Sequence, residues 1–291
     1  MTTPDPTGAA TAEASAPAEL WRGLFDDAAL FPPGDAPMAA AVPAHQALRA
    51  RLGDLVGPFV VPAARLDELT AHLGDAEAPF GVSVIAAPGD LPAALARVRA
   101  HPGLALAAIE IPIADDVRQA ITVLDAEAPD AVPVTVELPR SGARDAVLNV
   151  LAETRYRAKL RTGGLVAEAF PSPAELAGTL RACVARGVAF KCTAGLHHAV
   201  RHTDPATGFT HHGFLNLLLA TAALLDGGVV AEAWLAETNP DTVTAAVRSW
   251  SPQRAARVRT LFTSFGTCSV LEPVHDLVAL GLLPAPHRST S

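Results

Sequence analysis

The chain has 291 residues, of which 50% are hydrophobic, and its formal net charge is -8. With a mean hydropathy of +0.28, this composition predicts a globular protein with a sizeable core. The excess of acidic residues, without any run of Lys or Arg, argues against nucleic acid or an anionic membrane surface as a partner.

The cysteine content and the chain's start bear on compartment. Three cysteines, Cys183, Cys192 and Cys268, stand at wide spacing without a C-x-x-C motif, so we expect a reducing cytoplasm and no disulfide framework. The first 18 residues lack the features of a signal peptide and predict a disordered tail before one domain of residues 19–291. Residues 214–225 are apolar but too short to span a bilayer, so we expect a buried helix and no membrane association. Homo-oligomerisation stays open.

Residues 20–38 are rich in proline and acidic residues and predict an irregular capping loop. Asp26 and Asp27 in this loop are expected to cap a turn, and the alternative is that they reach a site. A short helix is predicted at residues 39–52. Strands and helices then alternate at near-constant spacing. Strands are predicted at residues 57–62, 80–86, 104–113 and 132–139 and around Lys159 and Lys191, and helices at residues 65–73, 91–100, 115–127, 143–154 and 173–186, the last with Ser172 as its N-cap.

Such alternation predicts a parallel sheet covered by helices. Four consecutive predicted strands carry polar inward residues near their carboxyl ends, which favours a closed (β/α)8 TIM-type barrel. These residues are Glu110, Glu137, Lys159 with Arg161, and Lys191. The eighth strand is predicted at residues 263–270 and a closing helix at 272–283. The seventh strand stays open between residues 229–235 and 243–250, so an irregular barrel is expected.

Lys159 and Lys191 are the only lysines, whereas the remaining 20 of the 22 basic residues are Arg. Arg cannot replace Lys where the amine must lose a proton or attack carbon, because a guanidinium stays protonated. Both lysines alternate with apolar neighbours and are expected to point into the barrel. The pattern favours amine chemistry, and a buried ion-pair lattice is the alternative.

Two neighbouring ammonium groups repel, so we expect Lys159 to lower the pKa of Lys191 and make it the nucleophile. Lys191 would form a Schiff base with a small anionic carbonyl compound, in a lyase or aldolase that needs no cofactor. Glu137 is the predicted general acid/base, with Glu110 as the other carboxylate. Arg161 would hold the anionic group of the substrate.

Further residues of the predicted site follow the same strands. Glycines at strand ends let backbone N–H groups approach an anion, which suggests a substrate-binding role for Gly163 and Gly164. Thr193 is expected on the inward face beside Lys191, and Arg201 is a second candidate anion ligand. His198 completes the predicted substrate-binding set.

A second hypothesis is a metal-dependent lyase, isomerase or hydrolase. Five histidines crowd one loop, and His197 and His198 with a carboxylate would bind a divalent metal. A third hypothesis is a non-catalytic barrel that binds an anionic metabolite. Cys268, near the end of the last strand, is interpreted as a small buried hydrophobe.

Two resemblances add to these predictions. Over most of its length the chain resembles an uncharacterised bacterial protein family, in the pieces DDAALFPP, AKLRTGG, FPSPAEL, FKCTAGLHHAVR, HGFLNL and FGTCSVLEPVHDL, which implies no particular activity. Locally, FKCTAG resembles the strand-six motif of deoxyribose-phosphate aldolases, class I aldolases on a TIM barrel, and implies that Lys191 forms the Schiff base. That family carries a second lysine on strand seven and an Asp relay residue, whereas here Lys159 falls on the fifth predicted strand and only Glu110 or Glu137 replaces the Asp.

Overall fold

The computed structural model describes residues 16–74, 78–114 and 116–284, and its centre is a closed barrel of eight parallel strands. This confirms the predicted (β/α)8 architecture. The barrel strands are β1 (Phe25–Asp27), β2 (Val56–Pro62), β3 (Phe80–Ile85), β4 (Leu104–Ile111), β5 (Val134–Glu137), β6 (Arg157–Arg161), β7 (Phe190–Thr193) and β10 (Phe262–Thr267). Strand β10 pairs with both β7 and β1, which closes the barrel.

A helix follows each of the first six strands, as the predicted alternation requires. These helices are α1 (Met38–Leu52), α2 (Leu66–Thr70), α3 (Leu91–Ala100), α4 (Val117–Glu127), α5 (Arg144–Leu151) and α6 (Pro173–Ala185). Ser172 caps α6, because its side chain accepts from the backbone N–H of Glu175 while the Glu175 carboxylate accepts from that of Ser172. The predicted N-cap is therefore confirmed as a capping box.

The connection from β7 to β10 is longer. A two-stranded hairpin, β8 (His202–Thr203) and β9 (Thr210–His211), is followed by α7 (Phe214–Leu225), α8 (Ala231–Ala236), α9 (Pro240–Arg248) and α10 (Pro252–Leu261). Helix α11 (Leu271–Ala279) comes after β10. The apolar run predicted as a buried helix is α7, in which ten of the twelve residues are buried. Over the described ranges, the helices are too short or too polar to cross a bilayer.

Strand β1 corrects the prediction that residues 20–38 form only a capping loop. Its three residues are all buried, and they pair with β10 on one side and β2 on the other. A three-residue strand is too short for period-two alternation to be read, and prolines follow it closely, which explains why the sequence pattern missed it. The strands predicted as first to sixth therefore stand one place further round the barrel, whereas the strand predicted as eighth keeps its place as β10.

Both segments proposed for the seventh strand are helical. Residues 229–235 overlap α8 and residues 243–250 overlap α9. Helix α9 carries a clear start signal, because the Asn239 side chain accepts from the backbone of Asp241 and Thr242 and Pro240 occupies the first turn. The true seventh strand is β7, which the sequence pattern had placed sixth.

The predicted tail, residues 1–18, lies outside the described residues except for its last three. Of these, Ala16 is buried and Ala18 begins a 3-10 helix that runs to Leu20. Asp115, the predicted first residue of a helix, is also outside the described residues, and the helix there begins at Val117 behind an Asp116 N-cap.

Candidate active site

Strand register places the polar inward residues of four neighbouring strands in one layer. Lys159 is the Cα partner of Lys191, Glu137 is the partner of Lys159, and Ser264 is the partner of Lys191. Because side chains alternate along a strand, residues in register point to the same side of the sheet. Both lysines are buried, with 3% and 4% of their surface exposed. The predicted inward orientation is thus confirmed.

Lys191 is held between two carboxylates. Its Nζ donates to Asp26 Oδ2 at 2.6 Å and to Glu110 Oε1 at 2.5 Å. Burial alone would lower the pKa of this amine, but the charges of Asp26 and Glu110 and the hydrogen bonds to them raise it above its ordinary value. The prediction that Lys159 lowers the pKa of Lys191 is therefore wrong, because the nearest charges are negative.

Asp26 is the site residue that sequence reasoning missed. It was expected to cap a turn, yet it is buried inside the barrel, where its Oδ2 also accepts from Ser264 Oγ at 2.8 Å. Burial raises the pKa of Asp26, Lys191 lowers it and Glu110 raises it, and the net direction is upward. The lysine partner lies 165 residues away in sequence, so no local pattern could pair the two.

The two aspartates of β1 point to opposite sides of the sheet, as strand geometry requires. Asp26 faces the barrel interior, whereas Asp27 Oδ2 contacts His45 Nδ1 of helix α1 at 2.9 Å. Gly57 on the neighbouring strand makes room for Asp26, because a Cβ atom there would overlap Asp26 Oδ1. The position of Asp26 inside the barrel therefore depends on a glycine at residue 57.

Glu110 lies between the two lysines. Its Oε1 accepts from Lys191 and from Ser83 Oγ at 2.9 Å, and its Oε2 accepts from Lys159 Nζ at 3.1 Å. Burial would raise its pKa, but Lys191 and Lys159 lower it from 4.5 to about 2. Glu110 is consequently ionised and bridges both ammonium groups.

The chain of contacts continues towards solvent. Glu137 Oε2 lies 3.0 Å from Lys159 Nζ, and Glu137 Oε1 accepts from Arg161 Nε at 3.2 Å. The Arg161 side chain is 45% exposed, whereas the two lysine side chains are at most 5% exposed. Carboxylates and cations therefore alternate from the barrel interior to its carboxyl mouth, in the order Asp26, Lys191, Glu110, Lys159, Glu137 and Arg161.

A cavity of about 660 Å3 opens above this cluster. Glu110, Lys159, Lys191 and Arg161 line it, so the cluster is accessible to a ligand at the carboxyl ends of the strands. The lining also contains apolar residues, among them Phe31, Pro32, Pro33, Val60 and Ile85. The cavity occupies the position at which TIM barrels carry their active sites.

Four of the predicted substrate-binding residues, Arg161, Gly164, Thr193 and His198, line this cavity. Gly163 and Arg201 do not. Gly163 is buried against Phe170 and Gly195. It is not part of the cavity lining, whereas the prediction had its backbone N–H approach the substrate. Arg201 donates from Nη1 towards His212 Nδ1 at 3.2 Å, and its assignment as a substrate ligand stays a prediction.

The adjacent histidines proposed as metal ligands both contact helix α11. His197 Nδ1 lies 2.8 Å from Glu272 Oε2, and His198 Nδ1 lies 3.1 Å from Asp276 Oδ2. Within the described ranges, no three His, Cys, Asp or Glu side chains are grouped so that they could hold a metal ion. The metal hypothesis therefore stays a prediction.

Cys268 is partly buried in the cavity wall, with its Sγ 3.8 Å from His197 Nδ1. Burial raises the pKa of this thiol to about 11, so it is not a ready nucleophile at neutral pH. The interpretation of Cys268 as a small buried hydrophobe agrees with its partial burial, but the sequence did not predict that it lines the cavity.

The class of protein that this fold and cluster define is a (β/α)8 barrel with a buried two-lysine site at its carboxyl face. Searches against protein-family models, curated proteins and solved structures return no match. The two resemblances noted in the sequence therefore remain predictions. The structure changes the strand positions used in the aldolase comparison. Lys159 and Lys191 lie on the sixth and seventh barrel strands rather than on the fifth and sixth.

Proposed function

We propose that this barrel is a lyase of the aldolase type that acts on an anionic carbonyl compound through a lysine Schiff base. The supporting observation is that the only two lysines of the chain lie in register on adjacent strands, buried at the floor of a 660 Å3 cavity. Buried amines at the base of a cavity are the arrangement that Schiff-base chemistry uses. Arg161 at the mouth supplies the cation for a carboxylate or phosphate.

Lys159 is the better candidate for the nucleophile. Lys191 has a raised pKa and is held by two carboxylates at 2.5 and 2.6 Å, so its proton is hard to remove. Lys159 makes longer contacts, 3.1 Å to Glu110 and 3.0 Å to Glu137. The FKCTAG resemblance itself points to Lys191, but the sixth barrel strand, on which that family carries its Schiff-base lysine, holds Lys159 in this barrel. This exchanges the roles that the sequence suggested for the two lysines.

Glu137 is the natural proton carrier. Glu110, with a pKa of about 2, is too weak a base to accept a proton from an ammonium group. In the proposed reaction Lys159 first gives a proton to Glu137, and its neutral nitrogen then attacks the carbonyl carbon. The carbonyl oxygen leaves as water and an iminium forms. The carbon–carbon bond between the α carbon and a hydroxyl-bearing β carbon then breaks. Its electron pair moves to the iminium and gives an enamine, while Glu137 takes the hydroxyl proton and the β carbon leaves as a carbonyl product. Glu137 returns the proton to the enamine carbon, and water hydrolyses the resulting iminium, which releases the second product and restores the amine.

Borohydride trapping tests this proposal. The protein is incubated with aldehydes, 2-oxo acids and phosphorylated ketones between pH 7 and 9, reduced, and analysed by intact mass and peptide mapping. Lys159→Arg and Lys191→Arg form a matched pair, because each keeps the positive charge but removes a possible nucleophile. We expect one adduct on Lys159, absent in Lys159→Arg and slower in Lys191→Arg.

The outcomes separate the alternatives. An adduct on Lys191 that persists in Lys159→Arg would reverse the assignment of the nucleophile but keep the reaction class. No adduct on either lysine across the panel would contradict the proposal. The complete pairing of the six charged side chains would then favour a structural ion lattice beneath an anion-binding cavity.

A further inference from the structure

Five aromatic rings form a continuous row along one wall of the cavity. From one end to the other the ring centroids are 5.5, 4.6, 5.3 and 4.6 Å apart. The rings belong, in this order, to Phe209, Phe170, His211, His202 and His198, and all five line the cavity. The two-lysine cluster makes no use of this row.

Two glycines at the ends of β6 and β7 let the row reach the strands that carry the lysines. A Cβ atom at Gly163 would lie 2.6 Å from Phe170 Cε1, and one at Gly195 would lie 3.2 Å from the same atom. Gly195 also has a φ of +75°, a conformation that favours glycine. The Phe170 ring is therefore seated directly over the ends of the two lysine strands.

The β8–β9 hairpin supplies the next rings. His202 and His211 are directly opposite each other in the antiparallel pair, and their rings stack with an interplanar angle of 23°. His202 Nδ1 contacts the carbonyl of Val200, and His211 Nδ1 contacts that of Gly195, which fixes both ring planes.

Most rings of the row are uncharged, so the row suits an uncharged part of a ligand. Burial lowers the pKa of both His202 and His211 below 6.5, so their rings are neutral at pH 7. His198, at the far end, has a raised pKa because it hydrogen-bonds Asp276, whose charge adds to the effect. Four neutral rings are thus followed by one ring, His198, whose protonated form is favoured by Asp276.

We propose that this row, which we call the aromatic wall, binds a planar aromatic ring of the substrate. Aromatic rings at these spacings add offset and edge-to-face contacts to the burial of apolar surface. A cavity of about 660 Å3 also has the size of a site for a ring-bearing ligand rather than for a three-carbon compound alone. The assignment of a carbonyl to the same ligand rests on the proposed function, whereas ring binding does not.

Equilibrium binding of carbonyl-free acids tests ring recognition independently of Schiff-base formation. Calorimetric titration of the full chain would compare 3-phenylpropanoate, 3-cyclohexylpropanoate and propanoate. We expect 3-phenylpropanoate to bind at least tenfold more tightly than propanoate, because its ring is buried. It should also bind about three- to tenfold more tightly than the cyclohexyl acid, because only a planar ring stacks.

Phe170→Leu is the diagnostic variant, since it keeps an apolar side chain but removes the ring. It should abolish the preference for phenyl over cyclohexyl. Phe80→Leu, the same change on the first residue of β3 and outside the cavity lining, is the matched control and should keep it. Equal affinities for the phenyl and cyclohexyl acids, or equal effects of the two variants, would overturn the proposal.

Borohydride trapping with phenylpyruvate and pyruvate distinguishes this inference from the proposed function. We expect faster trapping of phenylpyruvate, lost in Phe170→Leu. Equal trapping of both compounds, with no ring preference in binding, would refute the aromatic wall and leave the Schiff-base proposal intact. Ring-selective binding without any adduct would refute the Schiff-base proposal and support the aromatic wall.

Discussion

Lys191 Nζ lies 2.6 Å from Asp26 Oδ2, an ion pair between the first and seventh strands of the barrel. Both side chains are at most 5% exposed. A buried pair of this kind gives little net stability relative to a well-packed apolar pair, but breaking one half of it leaves an uncompensated charge. The ion pair therefore joins β1, one of the two strands that close the barrel, to a lysine of the candidate active site.

Lys191→Met should lower the free energy of unfolding by about 3–5 kcal/mol, because it leaves Asp26 and Glu110 facing each other without a cation. Adding Asp26→Asn should recover part of this loss, since the second charge is removed. Urea unfolding of the two single variants and the double variant measures the coupling, which we expect to exceed about 1 kcal/mol.

Asp27→Asn is the matched control for this cycle. Asp27 is adjacent in sequence and equally buried, but it contacts His45 on the other side of the sheet. Its effect should add to that of Lys191→Met within about 0.5 kcal/mol. Additivity in both cycles would mean that the Asp26–Lys191 contact carries no energetic coupling.

The sequence predicted those parts of the fold and site that depend on local periodicity. The strands that carry Lys159 and Lys191 alternate polar and apolar residues, so both their existence and the inward direction of the amines could be predicted. Asp26 could not be placed, since its strand has three residues and its partner is 165 positions away. The predicted direction of the Lys191 pKa shift was wrong for the same reason, because the neighbour left out of the prediction was the carboxylate of Asp26.

The free energy of unfolding should decrease in acid as Glu110 becomes protonated. Its pKa is about 2 in the folded chain and 4.5 as an ordinary Glu, so folding favours the ionised form. The contribution, of about 3 kcal/mol, is complete above pH 4.5 and is lost as the pH falls from 4.5 towards 2. Chemical unfolding at pH 7 to 3 should therefore show the difference between wild type and Glu110→Gln narrowing in acid. The exposed Glu232→Gln is the control, whose difference from wild type should stay small at every pH.

His212 should add a second acid-sensitive step at higher pH. The ring is fully buried between Pro171, whose carbonyl lies 2.7 Å from Nε2, and Arg201. Burial, with the charge of Arg201, lowers its pKa from 6.5 to about 4. The unfolded chain therefore takes up a proton between pH 6.5 and 4 that the folded chain does not, and stability falls as the pH drops through this range.

His212→Gln should flatten the pH dependence between 6.5 and 4 by up to about 1.4 kcal/mol per pH unit, because Gln does not titrate there. The exposed His72→Gln is the control and should leave the slope unchanged. A slope that is the same in His212→Gln as in wild type would show that folding does not lower the pKa of His212.

Gly163→Ala should damage the aromatic wall while leaving the lysines in place. The new Cβ atom would lie 2.6 Å from Phe170 Cε1 and 3.0 Å from Gly195 Cα, so the ring must move. We expect a loss of about 1–3 kcal/mol in unfolding free energy and loss of the phenyl preference, with pyruvate trapping kept. In a Phe170→Ala background the same change should cost less, since the crowded ring is gone. Gly142→Ala, where a Cβ atom would meet nothing within 4 Å, is the control and should be nearly neutral. If Gly163→Ala costs the same with and without the Phe170 ring, the contact between these two residues does not hold the ring in the row.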